Sequence, residues 1–309
     1  MRQRQAIFVV VLVALASAGK TAHAQGAWVG DTGALDLSLD YNLGISSKVV
    51  CDDTCGPGGA DEFPDGGTTT HQFTIGAEYT PIQSLAVTLS VPIVMLKYTG
   101  DKTMYMHPAG GSYDDGDLHT TLTDLRAGAR YQVLDEPVAI APHLAFSIPL
   151  ADYETIGNTV AGRHLKMAHA GIGVGKILGE ATYLHLLYEF TLAEKYDETE
   201  DTAKHSQNRS DLAFTVGHKL MDFRLDIHAD LNVRRTHGGV NFSEFAGLSM
   251  SEQDFHDAIL DEDLLLAGGG VGYQVTNALN VSLSARIFLS GVNTQNASVF
   301  ALGLEYSPL

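Results

Sequence analysis

The chain has 309 residues, 45% of them hydrophobic, with 32 glycines, two cysteines and a formal net charge of -18 at pH 7. So acidic a surface excludes nucleic acid as a partner, and beyond the N-terminal stretch no run of about eighteen apolar residues is long enough for a helical inner-membrane protein. No cofactor is expected, and the G-x-S-x-G, H-E-x-x-H and Walker patterns that would point to an enzyme are missing from the sequence.

Residues 1–24 read as a secretory signal peptide. Arg2 and Arg4 form its basic start, Ala6 to Ala18 its apolar stretch, and Ala22-His23-Ala24 its A-x-A cleavage site. The expected mature chain is one domain over residues 25–309, and loss of Arg2, Arg4 and Lys20 takes its charge to -21. The arginines are not adjacent and no cysteine follows the cleavage site, so general secretion is expected rather than twin-arginine export or lipid anchoring. Export carries Cys51 and Cys55 into an oxidising compartment, where their spacing favours a local disulfide in an external loop. Zinc would need two further ligands.

From Gly30 onward one rhythm repeats: ten to thirteen residues alternating apolar and polar, then a break. Period two means strands. They are expected near 34–46, 71–80, 85–98, 120–133, 138–150, 167–178, 182–194, 209–219, 223–234, 264–275, 279–290 and 298–307. The clearest alternation runs from Phe223 to Arg234, with Phe223, Leu225, Ile227, Ala229, Leu231 and Val233 on one face and charged or polar residues on the other. Alternation alone fits a soluble sandwich equally well. The breaks separate the two, because short ones (TPIQS, DEP, GEA, MD, TNA) alternate with long ones along the whole chain. Short periplasmic turns and long extracellular loops define a transmembrane antiparallel up-and-down β-barrel, here of about twelve strands, in a bacterial outer membrane. Tyr79, Tyr131, Tyr273 and Tyr306 end strands running toward the periplasm and are expected to form an interfacial girdle.

Most long loops are acidic. Their residues keep loop tips solvated, or bridge divalent cations to anionic surface lipid, or attract cations to the mouth. Asp114, Asp115 and Asp117, with His119, form the tightest cluster and are weak metal candidates. The segment Leu248 to Leu260 breaks the strand rhythm and starts with a Ser251-x-x-Asp254 pattern resembling a capping box, so a short helix that plugs the mouth or packs on loops is expected there.

On the polar faces, Glu78, Asp124, Arg126, Arg130, His185, Glu189, Arg224, Asp226, His228, Asp230 and Arg286 are expected to line the lumen. Their mixed charge suggests ion pairs that stiffen the wall and narrow the passage. His228 beside Asp226 or Asp230 suggests a base with an orienting acid, but residues two apart on a strand need not touch. No enzyme is expected, and a barrel hydrolase is the least favoured alternative.

The stretch GDLHTTLTDLRAGARYQVLDEPVAIAPHLAFSIPLADYETIGN, followed by GIGVGKILGEATYLHLLYEF, resembles the barrel family named for the MetA pathway of phenol degradation. The matching positions are Gly116, Asp117, Leu118, Arg130, Tyr131, Pro149, Asp152 and Tyr153. The resemblance implies an outer-membrane protein that passes small, often hydrophobic or aromatic compounds. Two readings follow: a narrow channel or transporter for small solutes or ions, and a structural barrel whose loops bind lipid, divalent cations or a surface partner.

Overall fold

A computed structural model describes residues 26–51, 62–63, 67–99, 114–157, 160–195, 205, 207–241, 259–296 and 298–308. The expected signal peptide, Cys55 and residues 248–258 of the expected plug lie outside these. The chain begins with β1 (Leu35–Ser46), β2 (Val49–Val50), β3 (Glu62–Phe63), β4 (Thr68–Ile82) and β5 (Leu85–Tyr98). It continues through β6 (Leu118–Leu122), β7 (Asp124–Tyr131), β8 (Ala139–Pro149), β9 (Met167–Leu178) and β10 (Thr182–Ala193). The last strands are β11 (Asn208–Leu220), β12 (Leu225–His237), β13 (Asp263–Gln274), β14 (Leu279–Val292), β15 (Thr294–Gln295) and β16 (Ser298–Tyr306).

Every large strand pairs antiparallel with its neighbours in sequence, β1 pairs with both β4 and β16, and β4 pairs with β5, so the sheet closes on itself. β6 and β7 are one stave interrupted at Thr123, which makes twelve staves in all. The interruption faces Pro92, which has no N–H to give the ladder. The Thr123 N–H instead donates to the Pro92 carbonyl at 3.2 Å. Tracing ladder partners from Leu37 stave by stave round the wall returns to β1 about 14 residues away, which for twelve strands means a tilt of about 40° and a backbone diameter of roughly 23 Å.

The alternation in the sequence becomes two faces of one wall. Leu37, Leu39, Ile75, Leu89, Phe146, Phe214, Leu231, Leu283 and Phe300 point outward and are exposed, as a lipid-facing belt requires. Tyr79, Tyr131, Tyr273 and Tyr306 are each 44–50% exposed at the short-turn end. Ladder pairing sets Tyr306 opposite Leu279, Tyr131 opposite Leu85, Tyr273 opposite Leu225 and Tyr79 opposite Leu35, each partner the first residue of its strand, so the four share the depth of an interfacial girdle.

The inward face is buried and mostly polar. Beyond the wall, β2 pairs with both β3 and β15, tying the first external loop to the connection before the last strand. Cys51 follows β2 and is buried.

The start of β12 is shifted by two residues from the expected one. β12 begins at Leu225 rather than Phe223, because Met221, Asp222 and Phe223 take positive φ values of 51°, 52° and 70° to make the tight connection from β11. Arg224 donates its backbone N–H to the Met221 carbonyl at 3.1 Å and is exposed in that turn. It does not border the cavity inside the barrel.

Candidate functional site

The barrel interior encloses a cavity of ≈ 300 Å³. Of the residues expected on the lumen, Glu78, Asp124, Arg126, Arg130, His185, Glu189, His228, Asp230 and Arg286 border it. Asp226 does not, and turns instead toward neighbouring side chains of the inner wall: the Tyr183 hydroxyl donates to its carboxylate at 3.0 Å, and His228 Nδ1 lies 3.1 Å from it. The contact between His228 and Asp226 that spacing alone left open is therefore made.

Most of these charges are paired over intervening strands, β5 lying between β7 and β4, and β13 between β14 and β12. Arg130 on β7 donates to Glu78 on β4 at 2.5 Å, and Arg286 on β14 to Asp230 on β12 at 2.5 Å, with Asn232 donating to the same Asp230 oxygen at 2.6 Å. Glu189 on β10 is a hub. Arg126 grips it with both terminal nitrogens at 2.5 and 3.1 Å, His143 Nε2 lies 2.9 Å from one oxygen, and His169 Nδ1 lies 3.1 Å from the other. Buried charge of this kind is tolerated only when paired and hydrogen-bonded.

His169 also places Nε2 2.9 Å from Ser147 Oγ and Nδ1 3.0 Å from Thr191 Oγ1. Ser147, His169 and Glu189 thus share the connectivity of a nucleophile, a base and an orienting acid on β8, β9 and β10. Two features argue against acyl transfer. Glu189 is already committed to Arg126 and His143, and Ser147 sits within a ladder, paired with Arg126 and Met167, rather than on a turn that frees backbone N–H groups for an oxyanion.

Both ends of the cavity are obstructed by segments that sequence analysis did not assign to the lumen. At the periplasmic end the residues before β1 fold back inside the barrel. Ala27 is fully buried, Gly26 and Trp28 border the cavity, and the Val29 N–H donates to Gln132 Oε1 at 2.8 Å. Room for them comes from glycines on the inner face of β9. A Cβ on Gly175 would sit 2.4 Å from the Trp28 ring, and one on Gly173 would sit 2.8 Å from the backbone of Gly26. The signal was present as the alternating glycines of GIGVGK and a single tryptophan just after the expected cleavage site.

At the external end the connection between β8 and β9 folds inward. Tyr153 donates its hydroxyl to Asp124 Oδ1 at 2.6 Å, accepts from the His164 N–H at 2.8 Å and stands edge-on to the His164 ring. Tyr153 and Ala161 pack on Val94 and Leu96 of the inner wall. Beside this loop, Ile259 packs with Leu165, Met167 and Val240. Ile259 and Leu260, the described end of the expected plug, are therefore buried against the mouth.

A second feature missed from sequence is a cluster of buried arginines: Arg163 from that inward loop, Arg209 from β11 and Arg234 from β12, each at most 4% exposed. Arg234 and Arg209 flank Asp211 at 2.7 and 3.1 Å, and Arg163 and Arg234 face Glu262 at 3.8 and 3.7 Å. Arg209 and Arg234 sit at the ends of their strands, and Arg163 is an isolated charge in a loop without period, so no sequence pattern joined them.

The acidic candidates behave locally. Asp115 lies 2.8 Å from His119 Nε2 and accepts the Asp117 N–H at 2.8 Å, while Asp114 is buried. Among the described residues no three acidic, histidine or cysteine side chains converge as metal ligands.

No family model and no curated protein matches the chain. Among solved structures it is similar to the COG4313 outer membrane channel from Pseudomonas putida F1, at a TM-score of 0.70 and 12% identity over 94% of this chain and 100% of that one. It is also similar to the β domain of the Bordetella autotransporter BrkA, at a TM-score of 0.50 and 13% identity over 90% of this chain and 100% of that one. At such identities the likeness establishes the fold, a closed twelve-strand antiparallel barrel of the bacterial outer membrane.

Proposed function

We propose that this chain is a narrow outer-membrane channel for small solutes, secreted with removal of residues 1–24 and carrying a Cys51–Cys55 disulfide in its first external loop. The observation that supports this reading is the cavity itself: an open space lined by charged and polar side chains, inside a wall whose outer face is apolar. An interior filled by side chains would offer a solute no path. The family named for the MetA pathway of phenol degradation is the proposed affiliation. Its strand-end pattern coincides here with real boundaries, since Arg130 and Tyr131 close β7, Pro149 closes β8, and Tyr153 is the residue that draws the external loop inward. That affiliation favours small organic solutes over inorganic cations. Acidic loops raise the cation concentration outside, but the charges within the lumen are largely paired.

Liposome swelling tests the reading. Vesicles containing the protein are expected to swell in isotonic solutions of small organic solutes, with rates that fall steeply as solute size grows. Swelling no faster than in protein-free vesicles for every solute would overturn it.

A further inference from the structure

Gln207, in the residue before β11, is fully buried, and neither its side-chain oxygen nor its side-chain nitrogen has a hydrogen-bond partner. Its backbone carbonyl accepts from Arg163 at 3.5 Å. The Nε of Arg163 and the Nε of Arg209 are likewise buried and without a hydrogen-bond partner, although Arg209 Nε is 3.1 Å from Asp211, out of line for a bond. Three unanswered N–H donors therefore sit within one small region, two of them on guanidiniums that border the cavity. Buried donors are almost always satisfied, and each that is not costs stability. The two guanidinium donors that border the cavity, with their positive charge, call for a negatively charged acceptor, and the Gln207 amide nitrogen beside them can add a further donor.

Burial, and next the neighbouring charge of Arg209, hold the Arg163 pKa down to about 9. An anion at the site would relieve both. Apolar side chains adjoin the arginines. Leu264 is the ladder partner of Arg234, and Leu264, Leu266 and Met167 border the same cavity. The surroundings therefore suit a charged head on an apolar body.

We propose that Arg163, Arg209 and Gln207 form a binding site at the external mouth for the carboxylate of a small organic acid. The assignment deepens the channel reading and rests on it for its physiological meaning: the site would select monocarboxylates for entry to the passage.

The test is calorimetric titration of the full mature protein in detergent with benzoate and, separately, with benzyl alcohol, a neutral molecule of similar shape. Wild type is expected to bind benzoate saturably and benzyl alcohol not at all. Arg163→Gln and Gln207→Leu are each expected to weaken benzoate binding at least tenfold, the range for losing a hydrogen bond to a charged group. Neither residue belongs to a ladder, and retention of the barrel's heat-modifiable gel migration confirms that both variants fold. Benzoate binding that is absent, unchanged in both variants, or matched by benzyl alcohol overturns the site. Solute flux without benzoate binding would sink the site and leave the channel reading standing, whereas benzoate binding without flux would do the reverse.

Discussion

The Trp28 ring lies against the bare backbone of Gly175, so closely that a Cβ there would stand 2.4 Å from it. This contact fixes the segment before β1 inside the barrel and obstructs the lumen from the periplasmic side. Gly175→Val is expected to expel the segment while leaving the ladder intact, since valine favours strands. Trp28 is the only tryptophan in the chain, so its emission reports the change directly. The expected outcome is a shift to the red and greater quenching by acrylamide. Unaltered emission would mean that the segment is not seated on β9.

Glu189 answers Arg126, His143 and His169 at once. Glu189→Gln leaves the Arg126 guanidinium without its counter-charge in the wall, and stripping one partner from a buried pair costs about 3–5 kcal/mol. Because the Arg126 side chain is 29% exposed to the lumen, the lower end of that range is expected. Urea unfolding in lipid vesicles measures it, and a loss below about 1 kcal/mol would show that water within the lumen already screens the pair.

Ser147 is expected to be a structural hydroxyl. A fluorophosphonate probe should leave it unlabelled, and Ser147→Ala should leave solute flux through the barrel unchanged. Labelling of Ser147 that His169→Gln abolishes would instead reveal a hydrolase.

Depth on the outer face gives a separate check on orientation. Leu283 is exposed four residues into β14, and Leu279 at the start of that strand pairs with Tyr306 of the girdle. Arginine on the lipid face costs about 2–4 kcal/mol near the bilayer midplane and about 0–1 near the interface. Leu283→Arg is therefore expected to destabilise the barrel far more than Leu279→Arg in vesicle-based urea unfolding. Equal effects would contradict the assigned membrane boundary.

The wall was legible in the sequence because a strand with lipid on one side and water on the other must alternate, and because Leu37, Leu283 and the four girdle tyrosines have no other reason to keep phase. Strand ends were legible to within a few residues, except where local backbone chemistry intervened: the three positive-φ residues ahead of Arg224, and Pro92, which splits one stave at Thr123. The lumen was legible as a set of charges but not as a map of partners. Arg130 and Glu78 are 52 residues apart and meet only because β5 pairs with both β4 and β7, a fact held in the register rather than in any window of sequence. The two obstructing segments were missed for the same reason. Neither Gly26–Val29 nor the loop carrying Tyr153 and Arg163 has a period of its own, and each is placed by contacts with strands far away. Part of the expected plug, together with Cys55, lies outside the described residues.

Single-channel recording in planar bilayers, comparing the wild-type protein with Gly175→Val, reads passage through the partly obstructed barrel. Small, discrete conductance steps are expected for the wild type, and steps several-fold larger once the Trp28 segment is displaced. A membrane that stays silent with both proteins, under conditions where each is demonstrably folded and inserted, would contradict the channel reading.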